Sequence, residues 1–269
     1  MAEIVLSRLP VVPWMAEHTL RLPGTVPIDP ADWLQRDEAF ALQMAERDRL
    51  IAERPSEVLA MPDAARPAAE ELLALVLDHL DRAPGYARAD GAMRRPDGGL
   101  VPLDGPPLAV AGRLVQEDLV ILEKAEGEAE HRLAAAVLCF PSNWTLSQKL
   151  GMPLVRIHLP VEVYDEAVAR RVQRLLDAVR PEAPLMRANL IPYAHATLHS
   201  PRPEFARHGP GPGEVRFVRV ERQTLLRLPE TRAVVFSIHT YMIRPADLTD
   251  DQREKLSAVR PGAFAGTSG

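Results

Sequence analysis

Apolar positions recur every three to four residues in three stretches of the chain, and each such stripe predicts an amphipathic helix. The first follows Asp29-Pro30, an N-cap with proline in the first turn, and carries Trp33, Phe40 and Met44 on one face to about Ile51. The second runs from about Arg66 to Arg82, opened by Pro67, with Leu72, Leu73, Val76, Leu77 and Leu80 as its stripe and His79 beside it. The third, Tyr164 to Arg180, sets Val168, Val172, Leu175, Leu176 and Val179 against a solvated side bearing Arg170, Arg171 and Arg174.

Shorter apolar runs bounded by turn residues predict strands. Leu108 to Val115, Asp118 to Glu123 and Arg132 to Phe140 follow at tight spacing and predict adjacent antiparallel strands, with Glu126-Gly127-Glu128 as a loop. Leu154 to His158 is an apolar run ended by a histidine and locked by Pro160. The last third is β-rich: Leu185 to Pro192, then Val215 to Arg222 continuing through Thr224 to Leu228, then Ala233 to Ile243. The sum is an α+β fold with an antiparallel sheet of about five to six strands and flanking helices.

Between these elements, Ser142 is placed to cap a short helix to Leu150 that Gly151 closes, and Asp247 to Leu256 predicts a short capped helix. Gly85 to Pro107 is a connector with a turn at Asp97-Gly98-Gly99. The predicted organisation is an irregular, proline-punctuated arm over 1–28, a single domain over 29–256 and a disordered tail over 257–269.

The net charge of −5, without a dense Lys/Arg tract, argues against a nucleic-acid partner, because such affinity rests on neutralising phosphates. A single cysteine, Cys139, has no internal disulfide partner and sits in the apolar run Ala135 to Phe140, which suits a buried thiol in a reducing compartment. The first residues lack a basic segment leading into an apolar stretch, and no 18 apolar residues run together, so a cytoplasmic chain that does not span a membrane is expected.

Several chemistries lack their motifs. There is no G-x-G-x-x-G after a strand, no G-x-x-x-x-G-K-[ST], no C-x-x-C and no G-x-S-x-G. Dinucleotide, P-loop, thiolate-cluster and nucleophile-elbow chemistry are therefore not signalled, and Ser142, Ser200 and Ser237 are read as cap, loop and strand residues. His195 and His199 have i,i+4 spacing but no H-E-x-x-H glutamate.

Two polar clusters remain in or beside strands, where such side chains are unfavourable unless partnered. One is Arg156-Ile157-His158-Leu159-Pro160-Val161; the other is Arg219-Val220-Glu221-Arg222-Gln223-Thr224-Leu225, joined through Pro229 to the strand that carries Ser237, His239 and Tyr241. Alternation puts those last three on one face and sends Glu221 and Arg222 to opposite faces. The ordered series Phe140-Pro141-Ser142-x-Trp144, Lys149-x-Gly151, Ile157-His158-x-Pro160-Val161 with Tyr164, and Val220-Glu221-Arg222-Gln223-Thr224-Leu225 with Arg227-Leu228-Pro229 resembles the haem-dependent oxidative N-demethylase family, over roughly Trp33 to Pro245.

That resemblance implies a PAS-like sheet, non-covalent haem b, and O2-dependent removal of a methyl group from a secondary amine such as dimethylamine, releasing formaldehyde. It also implies separate reductase subunits that carry flavin and an iron–sulfur cluster and draw on NADPH. His158, in the matching I-H-x-P-V segment, is the implied axial iron ligand. Arg156 and Arg187 are candidates for the haem propionates, and Trp144 for capping the pocket. Glu221, Arg222 and Gln223 are candidates for a polar distal pocket, Glu221 drawing a protonated amine and the other two bonding oxygen, with Tyr241 a further candidate. The chain departs from the family pattern at His239-Thr240-Tyr241, where Arg-Thr-Tyr is usual, and at Leu190, where an aromatic is usual. The alternative expectation is a non-catalytic PAS-like haem or small-ligand sensor, since fold alone does not separate the two.

Overall fold

The computed structural model describes residues 3–20, 23–159, 164–206, 209–211 and 213–262. Among them lie eight α-helices: α1 (Phe40–Glu53), α2 (Pro55–Val58), α3 (Arg66–Leu80), α4 (Pro107–Leu114), α5 (Leu146–Lys149), α6 (Leu154–Ile157), α7 (Glu166–Ala178) and α8 (Asp250–Val259). The strands are β1 (Val26–Pro27), β2 (Leu59–Ala60), β3 (Ala87–Ala89), β4 (Ala92–Arg94), β5 (Leu100–Pro102), β6 (Asp118–Glu123), β7 (Arg132–Val137), β8 (Leu185–Tyr193), β9 (Phe217–Arg227) and β10 (Val234–Ile243).

Seven strands form one antiparallel sheet in the order β1-β8-β9-β10-β6-β7-β2. Its five long strands follow the PAS-like plan: β6 and β7 pair, α5 to α7 intervene, and β8 to β10 return so that the last strand lies beside the first. The expected five to six strands become seven because two-residue strands close both edges.

β6 and β7 read as near-continuous apolar runs because both faces are covered. On one face Leu119, Ile121, Ala135, Val137 and Val235 meet α1, α3 and α4 through Leu50, Leu72, Val76 and Leu108. On the other, Val120, Leu122, Ala136 and Val234 meet Leu176 of α7. Asp165 caps α7 through Val168 N, and at its far end Arg227 of β9 donates to the carbonyls of Leu176 and Val179, the latter at 2.9 Å. A guanidinium at a helix C-terminus satisfies orphan carbonyls and complements the dipole, so this contact docks α7 on the sheet. Leu6, Leu9 and Trp14 of the N-terminal segment pack against Val218, Val220, Tyr241 and Ile243.

Several predicted elements are corrected. The segment predicted as a strand over Leu108 to Val115 is α4: Pro107 opens it, and Leu108, Val110, Ala111 and Leu114 are all buried between helices and sheet, which hides the helical period. The run ending at His158 is the single turn α6, following Pro153, while Pro160 and Val161 lie outside the described residues. The first predicted helix begins only at Phe40; upstream, Asp29 caps a 3-10 turn at Pro30–Asp32, and the chain beyond it is held by bonds to other elements. The connector holds the small β3-β4-β5 sheet, with Asp97-Gly98-Gly99 in its second hairpin turn. Ser142 caps no helix; its hydroxyl bonds Tyr193 Oη at 2.8 Å. The last helix runs later than expected and starts from a capping box of Thr249 and Gln252. Of the tail, residues 263–269 lie outside the described residues.

α4 packs so closely on β7 that a Cβ at Gly112 would lie 2.5 Å from Val137 Cγ2 and 3.2 Å from Ile51 Cδ1. Alanine gains about 1 kcal/mol over glycine in a helix, whereas overpacking costs roughly 1–3 kcal/mol. Gly112→Ala is therefore expected to lower the free energy of urea unfolding by about 1 kcal/mol, and to become stabilising when introduced into Val137→Ala.

Candidate functional site

The register of β8 and β9 sets Arg187 opposite Gln223, Asn189 opposite Glu221 and Ile191 opposite Arg219. Alternation therefore lines one sheet face with a row of charged and amide side chains beside the α7 core. Arg219, fully buried, donates to Leu198 O at 3.1 Å, to Phe140 O, to Thr240 Oγ1 at 3.2 Å and to the Glu221 carboxylate at 3.0 Å. Glu221 also accepts from Asn189 Nδ2 at 3.0 Å and Gln223 Nε2 at 3.1 Å. Gln223 Oε1 in turn accepts from Arg187 Nη1 at 2.7 Å. Arg187 ends the row with no carboxylate of its own among the described residues, and its Nε is buried without a partner. Burial depresses its pKa, and the charge of Glu221 only partly opposes this.

His158 sits at the C-terminal end of α6, its Nδ1 2.8 Å from Leu154 O. A carbonyl only accepts, so Nδ1 carries the proton and the neutral ring keeps its lone pair on Nε2. Burial lowers the histidine's pKa, and the charges of Lys149 and Arg187 lower it further, so the ring is neutral at pH 7. It stacks on Tyr164 with centroids 4.2 Å apart and 13° between planes, and the Tyr164 hydroxyl is buried without a partner. Lys149, at the end of α5, donates to Ile157 O at 2.5 Å and lies 5.7 Å from the Trp144 ring centroid. Burial depresses its pKa too. Trp144 itself is partly buried and packs on the α7 core.

The structure thus gathers His158, Arg187, Glu221 and Gln223, with Trp144 reached through Lys149. Other expected residues lie elsewhere. Arg156 is engaged by Glu204 in a bidentate pair at 2.6 and 2.8 Å. Arg222 points to the opposite face, where it donates to Trp33 O at 2.9 Å, Asp32 O at 2.7 Å and Thr224 Oγ1 at 3.2 Å. Tyr241 shares that face, buried beside His239 with ring centroids 4.6 Å apart, its hydroxyl unpartnered and its pKa raised by burial. His199 bonds Cys139 O at 2.8 Å while His195 packs edge-on against Tyr193, so the two imidazoles have separate partners.

The chain matches, over residues 24–261, the model of a family described as haem-dependent oxidative N-demethylase, alpha subunit-like. It belongs to that family. For a haem-dependent N-demethylase-like chain, a relevant test is whether these side chains suit a ferric or ferrous porphyrin with two carboxylates. They do: an imidazole with Nδ1–H held by a backbone carbonyl is the usual arrangement of a metal-ligating histidine, and a buried, orphaned guanidinium N–H calls for an anionic acceptor. The family's name also places the chain as one kind of subunit in a larger assembly. No helix among the described residues is long and apolar enough to cross a membrane.

A second buried cluster went unread in the sequence. His239 Nδ1 lies 2.9 Å from Glu117 Oε1 and its Nε2 2.9 Å from Asp37 Oδ2. Both partners are carboxylates, so both ring nitrogens donate and the ring is an imidazolium. Gln116 bridges Asp37 and Gln43, and Arg47 bonds Gln116 O at 3.2 Å and Asp118 at 2.7 Å. The one signal available was the polar triplet Gln116-Glu117-Asp118 at the head of an apolar strand. Cys139, whose thiol burial pushes up to about 12, is inert at neutral pH.

Burial disfavours the charged ring of His239, but Glu117 and Asp37 outweigh it and raise the pKa from 6.5 to about 9. A raised folded-state pKa gives stability that is whole below pH 6.5 and is lost as pH rises through about 9. The loss is on the order of 3 kcal/mol. Unfolding curves taken from pH 6 to 10 should show it in the parent chain and not in His239→Gln, which should already be less stable at pH 7.

Proposed function

We propose that this chain is the haem-holding subunit of an oxidative N-demethylase acting on a small secondary amine of the dimethylamine type. The observation that carries the proposal is the 2.8 Å contact between His158 Nδ1 and Leu154 O: it assigns the ring proton to Nδ1, and Nε2 would then hold the iron of a non-covalent haem b. Bound haem would supply the iron at which oxygen is reduced. In the overall reaction one oxygen atom ends in formaldehyde and the other in water, and two electrons and two protons enter from outside. Separate reductase subunits carrying flavin and an iron–sulfur cluster, fed by NADPH, fit that demand.

The protein's own residues then have distinct tasks. Tyr164 stacks on His158 and restrains its plane. Glu221 is already neutralised by Arg219, so instead of drawing the amine it fixes the direction of the Asn189 and Gln223 amides through its other oxygen. Gln223 supplies an oriented polar edge, and Trp144 closes the apolar side. Arg222 and Tyr241 act from behind the sheet, where Arg222 anchors the segment that carries Trp33.

Haem-reconstituted protein should give a stoichiometric Soret band that shifts on dithionite reduction. His158→Gly should lose or displace it, and added imidazole should restore it. An unchanged band in the variant would move the ligand to another residue, and no band in the parent would overturn the proposal. With haem bound but no formaldehyde released from dimethylamine in the presence of a reductase, the sensor alternative would stand.

A further inference from the structure

The surroundings of His158 contain an unsolved electrostatic problem. A buried charge is unfavourable unless it is paired and hydrogen-bonded, and most buried guanidinium groups here obey that rule. Arg47, Arg95 and Arg219 each have a carboxylate within 3.0 Å. Arg222 and Arg227 lack one but are each surrounded by several oxygen acceptors, most of them backbone carbonyls. Arg187 has a single amide oxygen, that of Gln223, and a buried Nε with nothing to bond. Its neighbour Glu221 is already engaged by Arg219.

Lys149 is the second cation near His158, half-buried, with the charge of Glu204 shared between it and Arg156. Its only hydrogen bond among the described residues goes to the carbonyl of Ile157, and the charges of both cations bear on the same imidazole. Arg156, two residues before His158, differs because Glu204 already neutralises it with two bonds.

Building on the proposed function, we infer that Lys149 and Arg187 form a carboxylate-receiving pair beside His158 and take the propionates of the haem, and that Arg156 lies outside the site. The chemistry shared by every candidate occupant is a carboxylate bonded to a partly buried guanidinium and an ammonium. A small free dicarboxylate could meet it as well as a porphyrin could, and the experiment separates the two.

The full-length chain is titrated with haem and with haem dimethyl ester, whose acid groups are blocked, for the parent, Lys149→Met, Arg187→Met and Arg156→Met. The parent is expected to bind haem at least about tenfold more tightly than the diester, the size of one charge-assisted hydrogen bond. Each of the first two variants should lose that preference while binding the diester as before, and Arg156→Met should keep it. Arg187→Met without haem should unfold at the same temperature as the parent or higher, because it removes a half-buried guanidinium whose Nε has no acceptor; a guanidinium needed only for structure would instead lower it. Equal binding of haem and diester by the parent and the variants would overturn the inference while leaving the haem proposal intact. Should no variant or parent bind either porphyrin, the haem proposal fails on its own, and succinate then decides: a rise in the parent's unfolding temperature that is absent in the double variant retains the carboxylate site, and no rise overturns it.

Discussion

The structure turns on one constraint: β9 carries Arg219, Glu221 and Gln223 at alternate positions on a sheet whose two faces are both covered. Such groups keep their place only when each finds a partner. Asn189 and Arg187 of β8, Thr240 of β10 and the carbonyls of Phe140 and Leu198 supply most of them. The polar row thereby fixes the β8-β9 register and pins the loop around Leu198 to the sheet. It also leaves its last member, Arg187, short of acceptors at the place where the short helices α5 and α6 come over the face.

The opposite face solves a similar problem with a network of paired charges. Asp37, Glu117 and His239 share two charge-assisted bonds of 2.9 Å, and Arg222 reaches the backbone of Asp32 and Trp33. Together they fasten the stretch ahead of α1 onto β9 and β10, with the Tyr241 hydroxyl and Glu117 Oε2 left over. The first face differs in where its unpartnered groups lie. Among the described residues it leaves Nε2 of His158, an N–H of Arg187 and the hydroxyl of Tyr164 without partners near one another.

How far the sequence revealed this depends on whether local or distant forces decide. The stripes of α3 and α7 were legible because periodic burial against one core writes itself into the chain, whereas β9 and β10, buried on both faces, were legible as long apolar and β-branched runs bounded by turn residues. α4 was misread because it is only eight residues long and all but Arg113 are apolar or small, so a single polar residue marks its outer side. The stretch from Trp33 to Ala39 carries helical signals, yet Arg222, Glu117 and Gln116 claim its backbone groups and hold it irregular. Within the site, His158 and the 219–225 segment stood out as costly residue types, whereas Lys149 belongs to a one-turn helix whose direction only packing sets. His239 meets partners 122 and 202 residues away, a juxtaposition with no local signature.

The two edges of the large sheet bear on assembly. Each is closed by a strand of only two residues, β1 on one side, ending in Pro27, and β2 on the other. A proline has no N–H to offer, and so short a ladder gives an incoming strand almost nothing to pair with. Beyond that ladder the rest of β8, from Arg187 to Tyr193, has the turns at Pro13–Met15 and Glu17–Leu20 against it, and Pro192 breaks its row of N–H donors, so this edge too is poorly suited to strand addition.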